Sequence, residues 1–194
     1  VVRERLVEAA VGLFVRHGVN GTSLQMLADE IGVTKAAVYY HFQNKEDLIE
    51  AVVTPQLRRL ATVVEAAEKQ RRRADQVDTV LLGIIDLLID NRDLLFAFQF
   101  DPAIRRHMET RPDMLDLAQR VGMLLSGPDP HLHTLMIGLV TSHGLVSAAA
   151  SPFLAHLDDA ELRHGLYAIA RRILRIKTPV PAAQHRIPAS PAES

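Results

Sequence analysis

Between Leu6 and Leu48 apolar residues return every three or four positions, and residues that stop or start helices cut the rhythm three times. Leu6, Ala10, Leu13 and Phe14 predict a first helix over about Arg3 to His17, with Arg16, His17 and Gly18 as its C-terminal stop. Thr22 or Ser23 caps a second helix, whose apolar face is Leu24, Leu27, Ala28 and Ile31. Gly32 ends it, and Thr34 caps a third that carries Ala37, Val38, Tyr40 and His41. Asn44 then caps a fourth, with Asp47 at its N3 position, expected to reach about Lys69. Pro55 lies inside that fourth helix and lacks a backbone donor, so a kink or break is expected near Val52 to Pro55.

The rest of the chain continues in helical periods: about Asp75–Asp90, Arg92–Phe100, Pro102–Glu109, Pro112–Ser126, Pro130–Ser151 and Asp158–Lys177. Strand alternation is missing, and the single Asn20-Gly21 pair falls between two helical patterns, so the expected class is all-α with about nine helices. Hydrophobic residues make up 48% of the 194 and charged residues 23%, the balance of a folded globular protein. Residues 1–46 are expected to form a small three-helix domain and 47–177 a larger helical one. Residues 178–194, rich in Pro and Ala, form a tail too poor in apolar groups to repay ordering, expected to be flexible.

No cysteine is present, which removes disulfides, thiolate nucleophiles and cysteine-ligated zinc and is compatible with a cytoplasmic location. Apolar stretches such as 80–85 are cut by Asp86, Asp90 and Asn91 before the ~20 residues of a membrane span, so no membrane segment is expected. The chain opens at Val1 rather than methionine, which leaves room for an arm ahead of it. Net charge is −1, and residues 1–45 carry five Lys and Arg against four Asp and Glu, so bulk charge does not announce nucleic acid.

Placement of side chains does. Two helices joined by a short glycine-containing turn, with Ala28 where they cross, Gly32 in the turn and Val38 beneath the second, describe a helix-turn-helix. The fuller string is more specific: Ala9-Ala10, Phe14, Gly18, Gly21-Thr22-Ser23, Leu27-Ala28, Ile31-Gly32-Val33, Val38-Tyr39-Tyr40-His41-Phe42 and Asn44-Lys45-Glu46-Asp47-Leu48. It closely resembles the N-terminal domain of the TetR family of bacterial repressors, over residues 3 to about 50. The resemblance implies a dimeric repressor that binds palindromic operator DNA and is released by a small ligand. Carried over by position, Thr34, Lys35 and Ala36 address base edges, and Tyr39 takes the place of the phosphate-contacting tyrosine. Tyr40 and His41 meet backbone or groove wall, Lys45 matches the lysine at the next helix start, and Thr22-Ser23 contact phosphate through hydroxyl and amide. One of the adjacent tyrosines must leave the core, and Tyr39 is expected to be that one. Only Arg3 and Arg5 supply the basic residues that many relatives carry ahead of the first helix.

Leu132, Leu135, Met136, Ile137, Leu139, Val140, Leu145 and Val146 wrap most of one helix, which predicts burial on more than one side. In the last helix Leu162, Leu166, Ile169, Ile173 and Ile176 form one stripe, with Tyr167, Ala170 and Leu174 beside it. Two such helices from each protomer resemble the family's four-helix homodimer interface. Phe96, Phe98, Phe100, Met108, Met114 and Met123 concentrate aromatic and thioether groups where the family keeps its effector pocket. Leu60, Val64, Phe96, Phe100, Met108, Met123 and His143 are the candidate lining for a hydrophobic or aromatic effector. His131, His133 and His143 lack ligand spacing and a completing carboxylate, so no metal or cofactor is expected. No nucleophile-base motif or phosphate loop is present, which counts against an enzyme, and the alternative kept is a helical interaction module without DNA binding.

Overall fold

The computed structural model describes residues 2–98, 101–127 and 131–174, except for the side chains of 102 and 103. Phe100 and the expected tail at 178–194 lie outside the described residues. Within them there are ten α-helices, one 3-10 turn and no strand.

The first four helices follow their caps. Helix α1 (Val2–Gly21) buries Leu6, Ala10, Leu13 and Phe14 and is broken at Gly18, whose φ of 69° leaves a short extra turn beyond it. Helix α2 (Leu24–Ile31) starts at Ser23, whose Oγ accepts from Met26 N at 3.1 Å. It ends at Gly32 with φ 70°, where Gly32 N donates to Asp29 O at 3.4 Å and Val33 N to Ala28 O at 3.0 Å. This pair of bonds forms only with the turn residue in the left-handed region, where a side chain is strained. Helix α3 (Lys35–His41) is capped by Thr34 Oγ1, which accepts from Ala37 N at 3.2 Å. Helix α4 (Lys45–Glu68) is capped by Asn44 Oδ1, which accepts from Asp47 N at 2.7 Å.

The break expected at Val52 to Pro55 does not occur, because α4 runs through Pro55 as one helix of 24 residues. Pro55 faces solvent, while Ala51, Val52, Val53 and Leu57 on either side of it are buried, so packing holds the turn that lacks a hydrogen bond.

The remaining helices are α5 (Arg73–Asp90), α6 (Arg92–Phe98), α7 (Pro102–Glu109), α8 (Pro112–Ser126), α9 (Leu132–Ala149) and α10 (Asp159–Ile173), with the 3-10 turn at Pro152–Leu154. Two glycines set how closely they approach. A Cβ on Gly83 would stand 2.3 Å from Val63 Cγ1, so α5 rests its bare backbone on α4. A Cβ on Gly138 would stand 2.6 Å from Ser126 Oγ, which does the same for α9 against α8. Helix α10 begins in a capping box between Asp158 and Glu161 and is tied to α5 by Arg171, whose Nη1 donates to Asp78 Oδ2 at 3.0 Å.

The last two helices differ from their expected stripes. In α9 only Gly138, Thr141, Leu145 and Ala149 are buried, whereas Leu132 is 75% exposed and Met136, Leu139 and Val140 are also exposed. In α10 Leu162 and Leu166 turn inward together with Ala170, while Ile169 and Ile173 turn outward; Ile176 lies outside the described residues. The chain by itself therefore leaves a run of large apolar side chains in water. By length and composition α9 is also long and apolar enough to cross a membrane, a stretch that the charges at 86 and 90 do not interrupt.

Candidate nucleic-acid interface and internal cavity

Helix α3 is held to the body by one buried side chain within it, Val38, and by Phe42 just beyond. Thr34, Lys35 and Ala36 are all exposed at its start. Tyr39 is 44% exposed and Tyr40 86%, so both tyrosines leave the core rather than one of them. Lys35 Nζ lies 5.6 Å from the centre of the Tyr39 ring, and His41, half-buried, meets Tyr40 edge-on at 5.1 Å. The Arg3 guanidinium sits 5.3 Å from the centre of the Phe42 ring, placing a cation from the start of α1 beside the end of α3. Nothing in the spacing of residues 3 and 42 signals that contact.

Two expected phosphate contacts are already engaged inside the protein. Thr22 is buried; its Oγ1 donates to Gly18 O at 2.8 Å and its amide to Val19 O at 3.3 Å. Neither group is available to a phosphate, which corrects the reading of Thr22; the exposed Ser23 keeps its hydroxyl hydrogen. Lys45 Nζ donates to Val19 O at 2.9 Å and to Asn20 O at 3.2 Å, satisfying carbonyls at the broken end of α1. One ammonium hydrogen remains for a second partner.

Helices α4 to α9 line a half-open cavity of about 480 Å³, with His143 and Leu139 of α9 exposed at its edge. Leu60, Met108 and His143 line it as expected, together with Phe98, Met114 and Val146. Val64 does not: it is fully buried one turn further along α4. Phe96 is 53% exposed and borders a second, larger and more open cleft beside α1, which shares Asn91 and Leu94 with the cavity. Two residues on in a helix turn roughly 200°, so Phe98 faces inward because Phe96 does not. The same rotation turns Val121 into the cavity and leaves Met123 47% exposed. The polar lining side chains are Gln56, Asn91, Ser142 and His143. Among the described residues no three His, Asp or Glu groups are placed to hold a metal.

Outside the cavity wall, Glu50 of α4 receives Thr54 Oγ1 at 2.6 Å, His107 Nε2 at 2.9 Å and Arg111 Nη1. Burial opposes ionisation of Glu50, yet the hydrogen bonds from Thr54, His107 and Arg111 and the arginine's charge outweigh it and lower its pKa. Arg111 is raised in turn, chiefly by its hydrogen bonds to Asp113. These contacts span 57 and 61 residues, so no local pattern could have disclosed them.

The described residues thus form a helix-turn-helix on an all-helical body with a cavity, the arrangement of helix-turn-helix DNA-binding folds. Residues 6–52 match the family model for bacterial regulatory proteins of the tetR family. Over 60 residues the chain is 42% identical to the probable acrEF/envCD operon repressor of Escherichia coli K12, an alignment covering 30% of this chain and 27% of that protein. The chain thus spans about a quarter of the length of that relative. Across nearly the whole chain, the fold is that of a transcriptional regulator from Aquifex aeolicus VF5, with a TM-score of 0.70 at 18% identity, covering 89% of this chain and 99% of that one. AmtR of Mycobacterium smegmatis is similar too, with a TM-score of 0.73 at 20% identity and coverage of 93% and 89%. Residues 6–52, the helix-turn-helix region, are thus similar in sequence to tetR-family regulators, and the rest of the chain shares the fold of the solved structures.

Proposed function

We propose that this protein is a ligand-responsive transcriptional regulator, a repressor that binds a palindromic operator as a homodimer and is released by a small hydrophobic effector. In this reading residues 1–46 are the reading head, 47–177 the ligand and dimerisation domain, and the protein acts in the bacterial cytoplasm on DNA rather than as an enzyme.

The observation that carries it is the solvent side of α3. A helix anchored by Val38 presents Lys35, Ala36, Tyr39 and Tyr40 to solvent, next to the Thr34 cap. Those side chains suit a helix lying in a major groove, with Lys35 reaching guanine acceptors and Tyr39, Tyr40, His41, Ser23 and the free hydrogen of Lys45 meeting phosphates. The exposed face formed by Leu132, Met136 and Val140 of α9 with Ile169 and Ile173 of α10 is what a second copy would cover. Release then follows from differential affinity: a ligand that prefers the wrongly spaced conformer ~100-fold shifts the equilibrium by about 2.7 kcal/mol per site.

The test is fluorescence anisotropy with duplexes tiled from the DNA flanking the coding gene, paired with sedimentation. A dimer at micromolar concentration that prefers one palindromic duplex over scrambled DNA is the expected result. A monomer, or equal binding to every duplex, would refute the reading.

A further inference from the structure

The cavity's polar groups do more than mark it as a pocket; they select a chemistry. Apart from His143, no lining side chain is ionisable, and the apolar lining contributes Leu, Ile, Val, Met and Phe. Arg59, which touches Gln56 Oε1 at 3.5 Å, is paired with Asp90 Oδ2 at 2.5 Å. A charged ligand would therefore lose its hydration without meeting an opposite charge, a cost of several kcal/mol in a largely apolar site.

On α9 the two polar lining residues have their donors occupied. Ser142 Oγ donates to Leu139 O at 3.0 Å, and His143 Nδ1 lies 2.9 Å from the same carbonyl, which can only accept. With that proton on Nδ1, the neutral ring offers Nε2 as an acceptor, and Ser142 offers its lone pairs. Across the cavity, Asn91 Nδ2 donates to Leu87 O at 2.7 Å, which leaves Oδ1 as a third acceptor, while Gln56 keeps its amide hydrogens. The α9 wall thus asks for a donor and the amides tolerate an acceptor. A hydroxyl is a small neutral group that does both through one atom.

We propose that the cavity takes an uncharged apolar molecule bearing a hydroxyl, a phenol or an alcohol, whose hydroxyl donates to the acceptors of Ser142 and His143, and disfavours carboxylates through those acceptors and organic cations through the absence of an acidic lining side chain. This rests on the reading of the cavity as the effector site.

The experiment titrates the full chain by calorimetry at pH 8 with four probes that share one apolar body: 4-pentylphenol, 4-pentylanisole, 4-pentylbenzoate and 4-pentylbenzylammonium. The phenol is expected to bind at least tenfold tighter than each of the others. Ser142→Ala combined with His143→Phe should weaken the phenol at least fivefold and leave the anisole within twofold. Leu60→Trp, which fills the cavity, should weaken every probe that binds. If the benzoate or the ammonium equals the phenol, the chemistry proposed here is wrong while the cavity remains a ligand site. If none of the four binds, both this proposal and the effector reading fall.

Discussion

The rings of Phe14 and Phe98 meet at 5.9 Å between centroids with their planes tilted by 55°. Phe14 is fully buried in the core of the helix-turn-helix head, and Phe98 lines the cavity. One aromatic pair therefore joins the part that would read DNA to the part that would hold a ligand. The hydrogen bond from Asn20 Nδ2 to Asp101 Oδ2, 3.3 Å long, joins the same two regions a few residues away.

Replacing Phe98 with Leu keeps apolar bulk but removes the ring contact. Operator affinity should stay within about threefold of the parent, while release by a bound probe such as 4-pentylphenol should weaken about tenfold or more, since coupling energies are commonly 1–3 kcal/mol. Anisotropy titrations with and without the probe decide it, and unchanged release would assign the coupling to the other links between the two regions, α4 and the hydrogen bond between Asn20 and Asp101.

Thr22 and Tyr39 should separate stability from DNA contact. Thr22→Val leaves Gly18 O without its hydroxyl donor and should cost about 1 kcal/mol in urea unfolding, with operator affinity within twofold. Tyr39→Phe should leave the unfolding midpoint unchanged and weaken binding to all duplexes by about fivefold, the worth of one phosphate hydrogen bond. A reversal of these two outcomes would show that the buried and exposed positions have been exchanged.

Lys45 should affect both measurements. Lys45→Met removes the donor that Val19 O and Asn20 O share, so unfolding should become easier by about 1–2 kcal/mol. The same variant loses one cation near the backbone of a bound duplex, and the slope of log affinity against log salt should fall by about one. A change in the salt slope alone would mean that the ammonium does not hold the end of α1.

Glu50 makes stability depend on pH. Its pKa in the folded chain lies below the ordinary value of 4.5, so the folded state favours the ionised form. The stabilisation is complete above the unfolded value and is lost as pH falls through the folded one. Glu50→Gln should therefore melt below the parent at pH 7, and the gap should close as pH is lowered below about 4.5. Melting curves of both proteins between pH 7 and pH 3 provide the check, and a gap that stays constant with pH would show that the carboxylate contributes nothing.

The head was legible because its signals are local. Ser23, Thr34 and Asn44 cap the helices they were expected to cap, and Gly32 takes the positive φ that its place in the turn requires. The cavity was only half legible. Aromatic and thioether composition pointed to the right region, but choosing Phe96 over Phe98 needed the rotation of a seven-residue helix relative to its neighbours, which composition does not contain. Thr22 and Lys45 show the same limit. Their residue types suit phosphate, yet the carbonyls left open by the break at Gly18 engage them first; the stop at Gly18 was legible, but not which side chains would fill it. At Pro55 the break did not follow, because the flanking residues are pinned by the core.

The bare crossing of Gly83 on Val63 gives α4 a seat with no slack. A methyl group added at position 83 has nowhere to sit, so it would act as a wedge driven between α5 and the helix that carries the reading head. Such a wedge is indifferent to whether the cavity is full or empty. On the dimeric, ligand-released reading proposed above, a chain carrying it would behave as though permanently answered, its two heads fixed at one separation, without altering any residue proposed to face DNA or ligand.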